Sequence, residues 1–208
     1  MRTILLTGFE AFGGDSRNPS ADAVAAVAAS YDGSERLIIA TLPVSFAGSA
    51  LRLRSLIDEH DPDAVIATGL AGGSDRVAVE RVGINLMDAR IADNDGARPI
   101  DQPCEPDGPA ARFATAPVKR MVAALDEEGI PARASLSAGT YVCNHVLYTA
   151  LGAVRATVPA GFVHVPWSMS TAPADAPSLP DDVIARAVRR CVDLVFEPER
   201  LEPGGAIW

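Results

Sequence analysis

Four short, unbroken apolar runs stand out along the chain, at residues 3–6, 37–41, 64–68 and 161–165. Three of them are rich in Val or Ile, the pattern of strands buried on both faces. Between most of these runs the apolar positions recur at helical spacing. Pro19-Ser20 opens an alanine-rich helix over 19–30, leucines at helical intervals mark 45–60, and further helices are predicted over 117–128 and 179–196. Another begins near residue 142, where Val142, Val146, Leu147, Ala150, Leu151 and Val154 share helical spacing after the loop and capping residues Ser137, Gly139 and Thr140. Alternation of strand and helix predicts an α/β fold with a largely parallel sheet covered on both faces. A further strand over 76–82 places Val77, Val79 and Arg81 on one side and Ala78, Glu80 and Val82 on the other. Glu80 is thereby marked as a carboxylate among small apolar neighbours. The segment 93–108, with Asn94-Asp95-Gly96, Pro99, Pro103 and Pro106, reads as a long irregular excursion of the kind that often carries function. With no internal repeat and no linker, one domain over 1–208 is expected.

Composition narrows the function more than the fold. At 208 residues, 48% hydrophobic and 22% charged, the chain can bury a full core. A formal charge of -9 argues against sequence-independent nucleic-acid binding and against anionic membranes, both of which need basic patches. Arg2 and the short run Ile4-Leu5-Leu6, followed by Thr7-Gly8, suit neither a signal peptide nor a membrane span, so a cytoplasmic protein is expected. Cys104, Cys143 and Cys191 are widely spaced with no CxxC pair; reduced thiols are expected rather than a disulfide framework or a zinc site.

In open parallel sheets ligands sit at the carboxyl ends of the strands, which directs attention to the loops at 7–14, 69–73 and 165–167. Neither glycine cluster, at 8–14 or 69–73, matches a phosphate-binding spacing. Cys143 falls in the first turn of the helix that begins near 142. Free backbone N–H groups and the positive end of the helix dipole favour the thiolate there, and the same N–H groups suit an oxyanion. The alternative is that Cys143 is a small core hydrophobe. A nucleophile needs a base, and the chain offers His60, His145 and His164. His60 lies in the acidic stretch Asp58-Glu59-His60-Asp61, where a solvated histidine is the ordinary reading. His145 follows Cys143 by two residues and so points about 200° away on a helix. His164 ends an apolar strand near the ligand loops; taken by itself it reads first as a core histidine with one satisfied hydrogen bond. Glu80 is the best candidate to orient an imidazole, with Asp75, Asp88 and Asp93 as alternatives.

Several long motifs occur together: Gly8-Phe9-Glu10-Ala11-Phe12-Gly13-Gly14, Asn18-Pro19-Ser20, Leu42-Pro43-Val44, Gly72-Gly73, Glu80-Arg81-Val82-Gly83-Ile84-Asn85, Asp88-Ala89-Arg90, the stretch Ser137-Ala138-Gly139-Thr140-Tyr141-Val142-Cys143-Asn144-His145, and Gly161-Phe162-Val163-His164-Val165-Pro166. In this order, and over nearly the whole chain, they are similar to pyroglutamyl peptidase I, a family of cysteine peptidases that remove an N-terminal 5-oxoproline. The resemblance implies a triad of Glu80, Cys143 and His164, a three-layer α/β/α sandwich, and a cytosolic, often tetrameric enzyme with no metal or organic cofactor. It places Arg90 beside the nucleophile to stabilise charge. It also assigns Phe9, Phe12, Ile91, Tyr141 and Val142 to the pocket for the flat lactam ring and Asn18 to its wall, with backbone groups near Leu70 meeting the ring N–H and C=O. An apolar slot suits an uncharged lactam.

The chain departs from the family pattern at four places. Ser74 follows the double glycine where Arg is common, Leu70 stands where Gln is frequent, Tyr141 where Phe is common, and Trp167 where a smaller aromatic is common. These leave the triad intact and alter the shape and polarity of the pocket. Two competing readings are a triad enzyme for another small amide and a binding protein without catalysis.

Overall fold

The computed structural model describes residues 1–204; residues 205–208, the end of the expected domain, lie outside the described residues. Strands β1 (Thr3–Phe9), β2 (Arg36–Leu42), β3 (Ala64–Leu70), β4 (Val77–Glu80), β5 (Val82–Ile84), β6 (Ala111–Phe113), β7 (Ala132–Ser135), β8 (Ala160–Val165), β9 (Trp167–Ser168) and β10 (Ser178–Leu179) alternate with helices α1 (Pro19–Ser30), α2 (Phe46–His60), α3 (Val118–Glu127), α4 (Val142–Ala153) and α5 (Asp181–Asp193). The main sheet runs β2-β1-β3-β8-β4-β7. Its first four strands are parallel, β4 runs antiparallel to β8, and β7 runs parallel to β4.

The period-two alternation of the buried strands sorts the core into two layers. Ile4, Leu6, Ile66, Val77, Val79, Val163 and Val165 face α1, α3 and α5; Leu5, Val65, Ala67, Ala160 and Phe162 face α2 and α4. Both faces of the sheet are therefore covered, as the apolar runs predict. Each fully buried Leu, Ile or Phe in these layers contributes about 1.5–3 kcal/mol relative to exposure.

Helix ends follow local chemistry. Asn18 caps α1 by accepting from Ser20 N, with Pro19 at the first helical position, and Ser45 caps α2 by accepting from Gly48 N at 3.0 Å. The last helix starts at Asp181 rather than 179, because Leu179 pairs in β10 and Pro180 precedes the helix. The strand expected over 76–82 stops at Glu80. Arg81 N donates to Ser135 O, and the chain then leaves the main sheet so that Val82–Ile84 pairs with Ala111–Phe113. The excursion after β5 is irregular, as its Pro and Gly content predicts, and is pinned rather than loose. Met87 and Gln102 exchange two backbone hydrogen bonds, Ala89 N donates to Pro99 O, and Asn85 Nδ2 donates to Glu105 O and Gly108 O.

Candidate active site

Cys143 is the second residue of α4. The N-cap is Tyr141, not the Ser137, Gly139 or Thr140 that loop composition suggests, and no side chain caps this helix. Thr140 Oγ1 is spent on Asp88 O at 2.7 Å, and Ser137 Oγ accepts from Gly139 N. The first-turn N–H groups are thus left without a capping oxygen, next to the thiol, where an anion would be stabilised. Asn144 fixes this end of the helix to the start of the excursion. Its Oδ1 accepts from Ile84 N, and its Nδ2 donates to Ile84 O and Leu86 O.

β3 approaches the nucleophile at Gly69, which is also the register partner of His164 on β8. A Cβ at Gly69 would lie 2.9 Å from Cys143 Sγ and 2.8 Å from Phe162 Cζ. Only glycine leaves room for the sulfur there.

His164 and Glu80 are both buried, and His164 Nδ1 lies 2.8 Å from Glu80 Oε1. A carboxylate can only accept, so Nδ1 is the donor and Nε2 is the nitrogen left to face the thiol. The register explains the reach. Ala78 is paired with His164 and Glu80 with Phe162, so on one face of this antiparallel pair Glu80 is the diagonal neighbour of His164, a distance a long side chain can span. Burial alone would favour a neutral imidazole. The charge and hydrogen bond of Cys143, followed by the hydrogen bond and charge of Glu80, outweigh burial and raise the His164 pKa to about 10. Glu80 Oε2 has no hydrogen-bond partner among the described residues, so the imidazole is where this buried carboxylate is compensated.

The other acids considered as orienting groups are committed elsewhere or exposed. Asp93 accepts from Phe46 N, Asp95 N and Ala97 N; Asp75 pairs with Arg76 on the surface; Asp88 is exposed. His60 ends α2 beside Glu59. His145 is buried against Phe46, with its pKa lowered to about 4 by burial and then by Arg54, so it is held neutral. Cys104 and Cys191 have thiol pKa values raised by burial, to about 11 and about 12.

Beside Cys143 opens a cavity of about 340 Å³ lined by Phe9, Phe12, Asn18, Leu70, Tyr141 and Val142 among the expected pocket residues. Tyr141 is wedged between Phe12 and Phe46, with ring centroids 5.7 and 5.3 Å away, and its hydroxyl donates to Ala92 O at 3.0 Å. Burial, then Asp93 and Cys143, push that phenol up to about 12, which keeps the donor protonated. Asn18 donates to Glu10 O and accepts from both Ser20 N and Ser20 Oγ, holding the wall rather than aiming into the cavity. Arg90 and Ile91 are not brought into the lining; both are exposed. Gly13, Asp15, Arg17 and Val44 line the cavity without having been singled out as site residues. Val44 belongs to a motif already noted, whereas Asp15 and Arg17 read in the sequence as ordinary polar loop residues. Among the described residues no cluster of three or more His, Cys, Asp or Glu is arranged to hold a metal.

The family model for pyroglutamyl peptidase matches residues 2–197. The chain belongs to the pyroglutamyl peptidase family. A pyrrolidone-carboxylate peptidase of Streptomyces coelicolor is 48% identical over 194 residues, covering 91% of this chain and 89% of that one. One from Bacillus subtilis is 40% identical over 213 residues, covering 99% of each. Among solved structures, pyroglutamyl peptidase I from Bacillus amyloliquefaciens superposes with a TM-score of 0.91 at 38% identity, covering 98% of this chain and 99% of its own. The pyrrolidone carboxyl peptidase of Thermococcus litoralis gives 0.90 at 36%, over 95% and 94%. The expected α/β fold and peptidase family are thus both met, and the family's chemistry is that of a cysteine peptidase.

Proposed function

We propose that this chain is a cysteine exopeptidase that removes N-terminal pyroglutamate from peptides through a thioester acyl-enzyme, with Cys143, His164 and Glu80 as its catalytic residues. The observation that carries the assignment of roles is the buried Glu80–His164 pair at 2.8 Å, with Cys143 acting on the same imidazole at the edge of an apolar cavity. His164 holds the proton given up by Cys143, and the thiolate attacks the pyroglutamyl carbonyl carbon. The uncapped N–H groups of α4 stabilise the oxyanion. Collapse of that intermediate breaks the C–N bond, and the imidazolium returns its proton to the departing amine. Water, giving its proton to His164, then attacks the thioester and releases 5-oxoproline and the free thiol. Glu80 keeps the ring oriented and stabilises its cation in both half-reactions. The lactam ring packs among Phe9, Phe12, Leu70, Tyr141 and Val142, with main-chain groups at Leu70 meeting its polar edge.

The test is release of fluorophore from pyroglutamyl-aminomethylcoumarin by wild type and Cys143→Ala, with a prolyl analogue as control. Turnover that requires both the lactam and Cys143 is expected; near-wild-type turnover by Cys143→Ala would refute the nucleophile.

We further propose a single catalytic domain that acts in the cytoplasm as a homo-oligomer. Three unpaired thiols suit a reducing compartment. Backbone bonds from Ala114 to Arg81 and from Arg81 to Ser135 set the exposed Phe113 and Leu136, 68% and 69% accessible, on either side of Arg81, and two exposed apolar side chains there support a contact with a second copy. Sedimentation equilibrium of wild type against Phe113→Ser/Leu136→Ser checks the assembly; a wild-type monomer would overturn it.

A further inference from the structure

After β1 the chain turns Phe12 back toward the cavity. It does so through Gly13 at φ 68° and Gly14 at φ 93°, with Asp15 N donating to Phe12 O at 3.2 Å. A turn with two left-handed central residues suits two glycines. The same turn that sets Phe12 against Tyr141 leaves Asp15 on the rim. Asp15 and Arg17 are exposed, and with Trp167 they line the cavity that also contains Cys143. At about 340 Å³ the cavity falls in the size range that holds drug-sized ligands, well beyond one five-membered ring. The apolar wall suits the lactam, and the ionised groups stay at the solvent end because burying unpaired charge is costly. The scissile amide is the only bond leading out of the pyroglutamyl group, so the residue that follows leaves across this rim.

Charge on the rim is unbalanced. Arg17 Nη2 lies 3.0 Å from Asp22 Oδ2, which neutralises it. Glu10, on the same loop, is engaged by Val44 N and Asn94 Nδ2. Among the described residues, no ion pair or side-chain hydrogen bond holds the Asp15 carboxylate. An unpartnered carboxylate and an indole lining one opening are the two groups that receive a cation.

We propose that Asp15 is a specificity-determining residue that, with Trp167, favours peptides carrying Lys or Arg directly after pyroglutamate over peptides carrying Asp or Glu. This rests on the peptidase reading above. One unit charge a few ångströms away in water-like surroundings supplies roughly a fivefold preference for Lys over Ala and a similar penalty for Glu against Ala, both weakened by salt.

The experiment compares kcat/KM for pyroglutamyl-Lys-Ala-amide, pyroglutamyl-Ala-Ala-amide and pyroglutamyl-Glu-Ala-amide at low ionic strength. The enzymes are wild type, Asp15→Asn, Asp15→Lys and Asp58→Asn, the last removing an equal charge from the far end of α2. The order Lys, Ala, Glu is expected for wild type and Asp58→Asn. The ratio should collapse toward one in Asp15→Asn and in about 0.5 M salt, and invert in Asp15→Lys. Equal rates in wild type, or a preference that survives both Asp15 substitutions, would overturn the proposal. Failure of wild type to cleave even the neutral peptide would overturn the peptidase reading, and this proposal with it.

Discussion

Gly69→Ala isolates the steric link between the sheet and the nucleophile. The added methyl would sit 2.9 Å from Cys143 Sγ and 2.8 Å from Phe162 Cζ, both inside the contact distance of real side chains. Phe162 is fully buried, and its ring centroid lies 4.7 Å from that of His164, so it cannot yield without moving the imidazole. Restoring ordinary contact requires a shift approaching 1 Å in the sulfur, the ring, or both. Overpacking of this kind costs about 1–3 kcal/mol of stability. A misplacement of that size at a reacting atom lowers turnover about 100-fold. The assay is kcat/KM on pyroglutamyl-aminomethylcoumarin, alongside thermal unfolding followed by circular dichroism. Gly73→Ala is the matched control. Position 73 is exposed, a Cβ there meets nothing within 4 Å, and its φ is not in the left-handed range. It should leave both readouts near wild type. Near-wild-type activity in Gly69→Ala would mean that the thiol reaches its reacting position without passing Gly69, and the geometry argued above would be wrong.

Three other outcomes follow from the site. Glu80→Gln keeps the shape of the pair and removes its charge, so turnover should fall by less than in Cys143→Ala, and the His164 pKa, which Cys143 and Glu80 raise, should drop relative to wild type when followed by NMR; an unchanged pKa would remove Glu80 from its orienting role. Iodoacetamide at neutral pH should label Cys143 ahead of Cys104 and Cys191, whose thiols burial holds protonated, as peptide mapping would show; equal labelling of Cys104 would argue against activation of Cys143. Buried, neutral His145 has a folded pKa of about 4 against 6.5, so its contribution to stability is present above pH 6.5 and is lost as pH falls toward 4, by about 3 kcal/mol at most. Urea unfolding of wild type and His145→Gln at pH 7 and pH 4.5 checks this; an equal loss in both would clear His145 of the effect.

Much of this site is legible in residue order because periodicity carries it. The apolar runs locate β1, β2, β3 and β8. Alternation across 76–80 puts Glu80 on the face of Ala78, and helical spacing after 142 puts Cys143 in a first turn while turning His145 away. The short strands are not legible. Ala132-Arg133-Ala134-Ser135 has no apolar run, and it is a strand because β4 supplies a paired edge. The bare cap at Tyr141 is also missed, since Ser and Thr nearby suggest capping, whereas Thr140 turns its hydroxyl to the excursion. Arg90 and Ile91 are suggested by resemblance alone; no spacing rule speaks for either. Asp15 and Arg17 carry no local signal, because a solvated loop and a pocket rim have the same composition; only the paired glycines of the turn before them hint at a fixed structure.

The orientation of β4 decides whether these legible parts become a site. In an all-parallel sheet the carboxyl ends of the strands collect loops, and a third group would arrive on one of them. Here β4 enters antiparallel to β8, with Ala78 opposite His164. Its side chains therefore alternate in step with those of β8, and Phe162, His164, Ala78 and Glu80 share the face turned toward α4. A slip of one residue would turn Glu80 to the opposite layer, facing Val163 and Val165 of β8, where a carboxylate would have no imidazole. Val77 and Val79 resist the slip, since both would have to leave their layer for the face that holds Phe162 and His164. The hydrophobic packing of α1, α3 and α5 against one face of the sheet thus holds the hydrogen bond on the other, and a substitution such as Val79→Asp should cost the triad its register along with its stability.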